Sequence, residues 1–114
     1  MKPAKKTAAK ARKSNLDIQA MHERAEDAVD VLKAIANQNR LLLLCQMVDG
    51  ERSVNDLAET LDLGQSVVSQ HLSLLRREGL VKGRREGQSI YYCISDDRVH
   101  TLMATLFDVF CADG

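Results

Sequence analysis

Reactive chemistry in this chain is concentrated in three thiols and one polar helical stripe. Cys45, Cys93 and Cys111 are its cysteines, an odd number with wide spacing. That pattern does not fit a secreted disulfide framework and points to reduced thiols in the cytoplasm. Cys45 lies inside the apolar run LLLLCQMV, and Cys111 closes the run LFDVFC. An apolar surround raises a thiol pKa, and a helix C-terminus disfavours a thiolate. Local surroundings alone therefore leave both as small hydrophobes as readily as reactive groups. His22, His71 and His100 are scattered and read as surface residues, not as a metal-ligand set. No Cys-x-x-Cys pair, Gly-rich phosphate loop or catalytic acid pair is present, so the chain is read as a non-enzyme without a cofactor.

The stripe lies on a helix expected from Gln65 to Glu78 and closed by Gly79. Val68, Leu72 and Leu75 recur at helical spacing and form its packing face. Ser66, Ser69, Gln70, Ser73 and Arg77 form another face, with Gln65 at the start and His71 at the flank. A solvated face usually carries Lys and Glu. Short Ser and Gln side chains suit close approach to base edges and phosphates, and Gln pairs bidentately with adenine. Just beyond, Arg76, Arg77, Lys82, Arg84 and Arg85 stand against Glu78 alone. This local +4 patch predicts phosphate contacts, with Arg84 and Arg85 at a hairpin tip.

Several elements must position these groups. The chain has 114 residues, 45% hydrophobic and 28% charged, enough for one domain. A single Pro and no Trp favour long helices. Residues 1–14 carry six basic residues and no acid, and read as a basic disordered arm; residues 15–114 form the folded domain and carry ten basic against sixteen acidic residues. An acidic body holds nucleic acid through local patches, not bulk charge. No apolar run approaches the ~20 residues of a membrane span, and the basic N-terminus has no apolar segment of a secretory signal behind it.

A first helix is expected from Ser14, with Asp17 completing a capping-box-like start and Ala25, Ala28, Val29, Leu32, Ile35 and Ala36 as its apolar positions. Asn37-Gln38-Asn39 interrupts it. A second helix carries Leu41, Leu44, Cys45 and Val48, widened by Leu42 and Leu43, and Gly50 ends it. Ser53 and Asp56 open a short helix with Val54, Leu57, Ala58 and Leu61. After the 65–78 helix, strands are expected over Leu80–Arg84 and Ser89–Ile94, joined by a turn over residues 85–88. Cys93 falls on the face opposite Ile90, Tyr92 and Ile94. The last helix starts near Ser95-Asp96-Asp97 and carries Val99, Leu102, Met103, Leu106, Phe107, Val109 and Phe110. This order predicts a mainly α fold with a two-stranded β wing, a winged helix-turn-helix. One small domain covers only part of so apolar a last helix, which calls for a dimer.

The segments LKAIANQNRLLLL, SVNDLAETLDLGQSVVSQHLSLLRREGLV and RREGQSIYYCIS resemble the ArsR family of bacterial winged-helix repressors. The resemblance implies a homodimer joined through its first and last helices and bound to double-stranded operator DNA. The family's metal sites resemble Cys-Val-Cys at the start of the third helix and an Asp-x-His motif on the last. Here those positions read Ser53-Val54-Asn55 and Arg98-Val99-His100. The first lacks both thiols and the second keeps His100 but not the Asp, so both sites are broken. The Cys45 and Cys111 flanks resemble the family's persulfide- and sulfide-responsive branch. The implied role is a sensor pair bridged by reactive sulfur species, with release of DNA. Cys93 has no counterpart in that pair. The alternatives are a metal-sensing repressor and an inducer-independent DNA-binding regulator or anti-silencer.

Overall fold

The structure, a computed structural model, describes residues 17–111. The basic arm over residues 1–14 lies outside the described residues. Eight elements follow in order: α1 (Ile18–Ile35), α2 (Gln38–Gln46), β1 (Arg52–Ser53), α3 (Val54–Leu61), α4 (Gln65–Arg77), β2 (Val81–Glu86), β3 (Ser89–Ile94) and α5 (Asp97–Cys111).

Polar side chains set the helix starts. Asp17 caps α1 by accepting from the Ala20 N–H. The described helix therefore begins later than the expected Ser14 start, which falls outside the described residues, and Asp17 is the cap itself. Asn37 caps α2 by accepting from Arg40 N–H at 3.1 Å, so the polar interruption is a helix boundary. The Arg40 guanidinium turns back onto the Lys33 and Ala34 carbonyls, satisfying the end of α1. Ser53 Oγ accepts from Asp56 N–H at 3.0 Å and starts α3. Gly79, at φ +81, carries the chain out of α4 and into β2.

The core is built where α2, α3, α4 and α5 meet. Leu43, Leu44, Leu57, Val68, Leu72, Leu75, Val99 and Met103 have no exposed surface. On α2 the innermost residues are Leu43 and Leu44, and Met47 is buried just beyond its end. Leu41 and Cys45 are only half-buried and Leu42 is exposed, so the inward face is rotated from the expected one.

The β-structure differs from the expected two strands. Arg52 and Ser53 form a third strand, giving the order β1-β3-β2, with Ser53 opposite Tyr91. The hairpin is also longer than expected. Arg85 and Glu86 are paired strand residues opposite Ile90 and Ser89, which leaves a two-residue turn, with Gly87 at φ +63. The wing is tied to the body through Ser95, whose N–H donates to the Leu80 carbonyl and whose Oγ donates to the Gly79 carbonyl.

Candidate functional site

The α4 helix has the two faces its sequence implies. Val68, Leu72 and Leu75 are buried, whereas Gln65, Ser66, Ser69, Gln70, Ser73, Arg76 and Arg77 are all exposed. His71 is half-buried; desolvation, and then the nearby Arg40 charge, hold its pKa below the ordinary value. It therefore sits neutral at the edge of the stripe.

The start of α3, the start of α4 and the wing turn enclose a polar cleft of about 170 Å³. Gln65 and Ser69 line it together with Ser53, Asn55, Gln88 and Ser89. Asn55, Gln88 and Ser89 carry no signal of this role in the sequence. Their proximity depends on the hairpin folding back beside α4, and no spacing along the chain marks it.

The two wing arginines part company. Arg84 donates from Nε and Nη2 to both carboxylate oxygens of Glu51, at 2.8 and 2.9 Å, and from Nη1 to Glu86 Oε1 at 2.6 Å. Its guanidinium also lies 4.8 Å from the Tyr91 ring centroid. These hydrogen bonds hold the Glu51 carboxyl below the usual carboxylate range and push Arg84 up. Arg85 is exposed and has no ion pair among the described residues. Neither arginine is in the turn; both are on β2.

The thiols occupy three settings. Cys45 is half-buried on α2 against the core, Cys93 is half-buried on β3 opposite Lys82, and Cys111 is exposed at the end of α5. Helices α2 and α5 pack on one another. His100 Nε2 lies 2.8 Å from the Val48 carbonyl and adds a polar link between α5 and the end of α2. Desolvation by burial raises the Cys45 pKa, and the charge of Cys111 raises it further. Cys93 is not among these influences. Among the described residues no group of three or more His, Cys, Asp or Glu side chains is placed to hold a metal ion. Nor is any helix there long and apolar enough to cross a membrane.

Away from the polar stripe of α4, α1 and α5 leave apolar surface uncovered. Ile18, Met21, Val29 and Leu32 on α1, and Phe107, Val109 and Phe110 on α5, are exposed, Phe110 by 79%. Between the helices runs a groove of about 310 Å³ lined by Met21, Ala28, Val31, Leu32 and Leu102, with Arg24 and Arg98 at its edge.

Comparison with known proteins places this architecture. The family model of the bacterial regulatory proteins of the arsR family matches residues 37–82, from the cap of α2 to the start of the wing. The transcriptional activator HlyU of Vibrio cholerae serotype O1 is 42% identical over 96 residues, covering 84% of this chain and 89% of its own. The chain belongs to the ArsR family. It is a transcriptional regulator with a winged helix-turn-helix DNA-binding domain, and its relatives are regulators, not enzymes. Among solved structures, reduced HlyU from Vibrio cholerae matches with TM-score 0.78 at 43% identity, over 82% of this chain and 98% of that one. The transcriptional repressor BigR from Xylella fastidiosa matches with TM-score 0.81 at 34% identity, over 86% of this chain and 100% of that one. A homodimeric winged helix-turn-helix DNA-binding domain from Mycobacterium bovis matches with TM-score 0.69 at 34% identity, over 82% and 85%. Within this ArsR frame, α3 and α4 are the helix-turn-helix and β2–β3 the wing.

Proposed function

We propose that this ArsR-family chain is a homodimeric repressor switched by Cys45 and Cys111. In the reduced dimer, α4 enters the major groove with Ser66, Ser69, Gln70 and Ser73 towards base edges. Gln65, His71, Arg76 and Arg77 border that interface, and Arg85 on the wing supplies phosphate attraction. The exposed apolar residues of α1 and α5 are covered by a second copy of the chain. The homodimeric Mycobacterium bovis neighbour and the groove between these helices support that assembly. Its two α4 helices address half-sites ~34–36 Å apart, one helical turn of DNA.

What supports the switch is that one thiol is half-buried on α2 and another exposed at the end of α5, that these two helices pack on one another, and that the Cys111 charge raises the Cys45 pKa. The electrophile is a low-molecular-weight persulfide. One protein thiolate attacks its sulfane sulfur and expels the parent thiol, leaving a protein persulfide. The second thiolate then attacks the protein-bound sulfur and expels hydrosulfide. Overall, a dithiol and one persulfide become a disulfide, one thiol and one hydrogen sulfide. A second persulfide equivalent inserts one more sulfur into the bridge and releases another thiol. The bridge locks the dimerising helix α5 to α2, which packs directly on α3 and α4. A coupling of ~1–3 kcal/mol weakens DNA binding about 5- to 150-fold.

The test is DNA binding by the wild type, Cys45→Ser and Cys111→Ser before and after glutathione persulfide. The wild type releases DNA, and both variants hold it. A treated wild type that still holds DNA would establish an inducer-independent regulator instead, and release by zinc would establish a metal sensor.

A further inference from the structure

Arg84 and Arg85 adjoin in sequence but face opposite sides of the wing, since strand residues alternate. Arg84 is opposite Tyr91 and Arg85 opposite Ile90. Ile90 packs against the core, so Arg85 shares the side of the ribbon that faces the body, and Arg84 lies on the outer side. There the Arg84 guanidinium is enclosed by Glu51, Glu86 and the Tyr91 ring. Lys82, on the same face of β2, also acts on Glu51, so two cations and two carboxylates balance and Arg84 has little charge left to attract phosphate.

The position of Glu51 gives the cluster its use. It immediately precedes β1, the strand that leads into α3 and the helix-turn-helix. β1 and β2 are the two edges of the sheet, with β3 between them. The Glu51–Arg84 fork therefore spans the sheet and joins the far edge of the wing to the entrance of the reading head. Two parallel hydrogen bonds fix orientation as well as distance. On the other side of the ribbon Tyr92 is buried and its ring lies against Gly83, where an added Cβ would come within 2.9 Å. Consecutive wing residues are thus held from both faces.

We propose that Glu51 and Arg84 are a positioning pair that sets the tilt of the wing relative to α4, and that the attraction of the wing for DNA phosphate comes from Arg85. An acidic residue beside the DNA-binding surface is then required for tight binding. Simple charge counting predicts the opposite, because removing Glu51 removes repulsion.

The experiment uses the full chain, fully reduced so that thiol chemistry plays no part, and a fluorescein-labelled mixed-sequence duplex of about 30 base pairs, long enough for both half-sites. Anisotropy titrations across a salt series give affinity and salt slope. Glu51→Gln and Arg84→Gln should each weaken binding about three- to ten-fold with the salt slope unchanged. Arg85→Gln should weaken binding and flatten the slope by about one for each phosphate that the wing no longer neutralises. The Glu51→Gln/Arg84→Gln double variant should bind no worse than the weaker single variant, because both remove the same fork. Melting temperatures confirm that each variant is folded. Glu51→Gln binding as tightly as wild type or tighter would overturn the proposal. So would a slope flattened by Arg84→Gln as much as by Arg85→Gln, or additive losses in the double variant.

Discussion

The two faces of α4 predict opposite outcomes for substitutions three residues apart. Leu72 has no exposed surface and packs in the row Val68, Leu72, Leu75, whereas Ser69 is exposed on the stripe proposed to meet DNA. Leu72→Ala removes buried methyl groups and leaves a cavity, at about 3 kcal/mol within the usual ~2–5 kcal/mol range. For a domain of this size, each kcal/mol moves the midpoint by ~4–8 °C, so the melting temperature falls by about 12–24 °C. Ser69→Ala leaves the core untouched and stays within ~0.5 kcal/mol, a shift of less than about 4 °C. For DNA the order reverses. Removing a hydrogen bond of ~0.5–1.5 kcal/mol, counted twice in a dimer, weakens binding about 5- to 150-fold. Circular dichroism melting at fixed protomer concentration gives the first quantity. Anisotropy with a labelled duplex, below both melting transitions, gives the second. A Ser69→Ala protein that melts far below wild type would refute the assignment of faces. So would one that binds DNA at full strength while Leu72→Ala melts unchanged.

Three further outcomes follow from the same geometry. Burial, and secondarily Cys111, raise the Cys45 pKa, so its alkylation by iodoacetamide should reach half-rate at a pH above the ordinary thiol value of ~8.5. In Cys111→Ser the midpoint should fall part of the way back; a wild-type midpoint at or below the ordinary value contradicts the burial argument. Phe107→Ser/Phe110→Ser should convert the dimer to monomer in light scattering, because these exposed rings are the apolar surface of α5 that a second copy covers; an unchanged dimer mass removes α5 from the interface. Hydrogen bonds from Arg98 hold the Asp96 carboxyl below its ordinary pKa. A depressed carboxyl stabilises the fold above its unfolded pKa of ~3.9, and that contribution is lost as pH falls through the folded value. Asp96→Asn should therefore melt below wild type at neutral pH and converge with it once the pH falls below the folded value, whereas a gap that persists in acid would mean that the ion pair is not its source.

Sequence signals are legible where the chemistry is local. Asn37, Ser53 and Gly79 act through atoms within a few residues, and each sits at the boundary it suggests. The buried row of α4 and its exposed Ser and Gln stripe follow directly from helical spacing. Long-range pairing is not legible. Arg52 and Ser53 are too short a strand to carry a period, and they exist as β1 only because β3 lies beside them. Arg84 has the sequence signature of a phosphate ligand because its partner Glu51 is 33 residues away. Val29 and Leu32 have the spacing of core residues, yet both are exposed on α1. The pattern reports apolar surface to be covered and does not say whether the cover comes from the same protomer. Spacing finds the stripe residues Gln65 and Ser69, but their cleft partners Gln88 and Ser89 need the folded hairpin.

Intact and peptide mass spectrometry of persulfide-treated protein tests the central claim most directly. The account predicts one link within each protomer, joining the peptides that contain Cys45 and Cys111. The protomer should lose two hydrogens for a disulfide, or gain whole sulfur atoms less two hydrogens for a longer bridge, with Cys93 unmodified. DNA release should track the linked fraction. Persulfidated protein in which Cys45 and Cys111 stay unlinked while DNA is released, or a link that runs through Cys93, would contradict it.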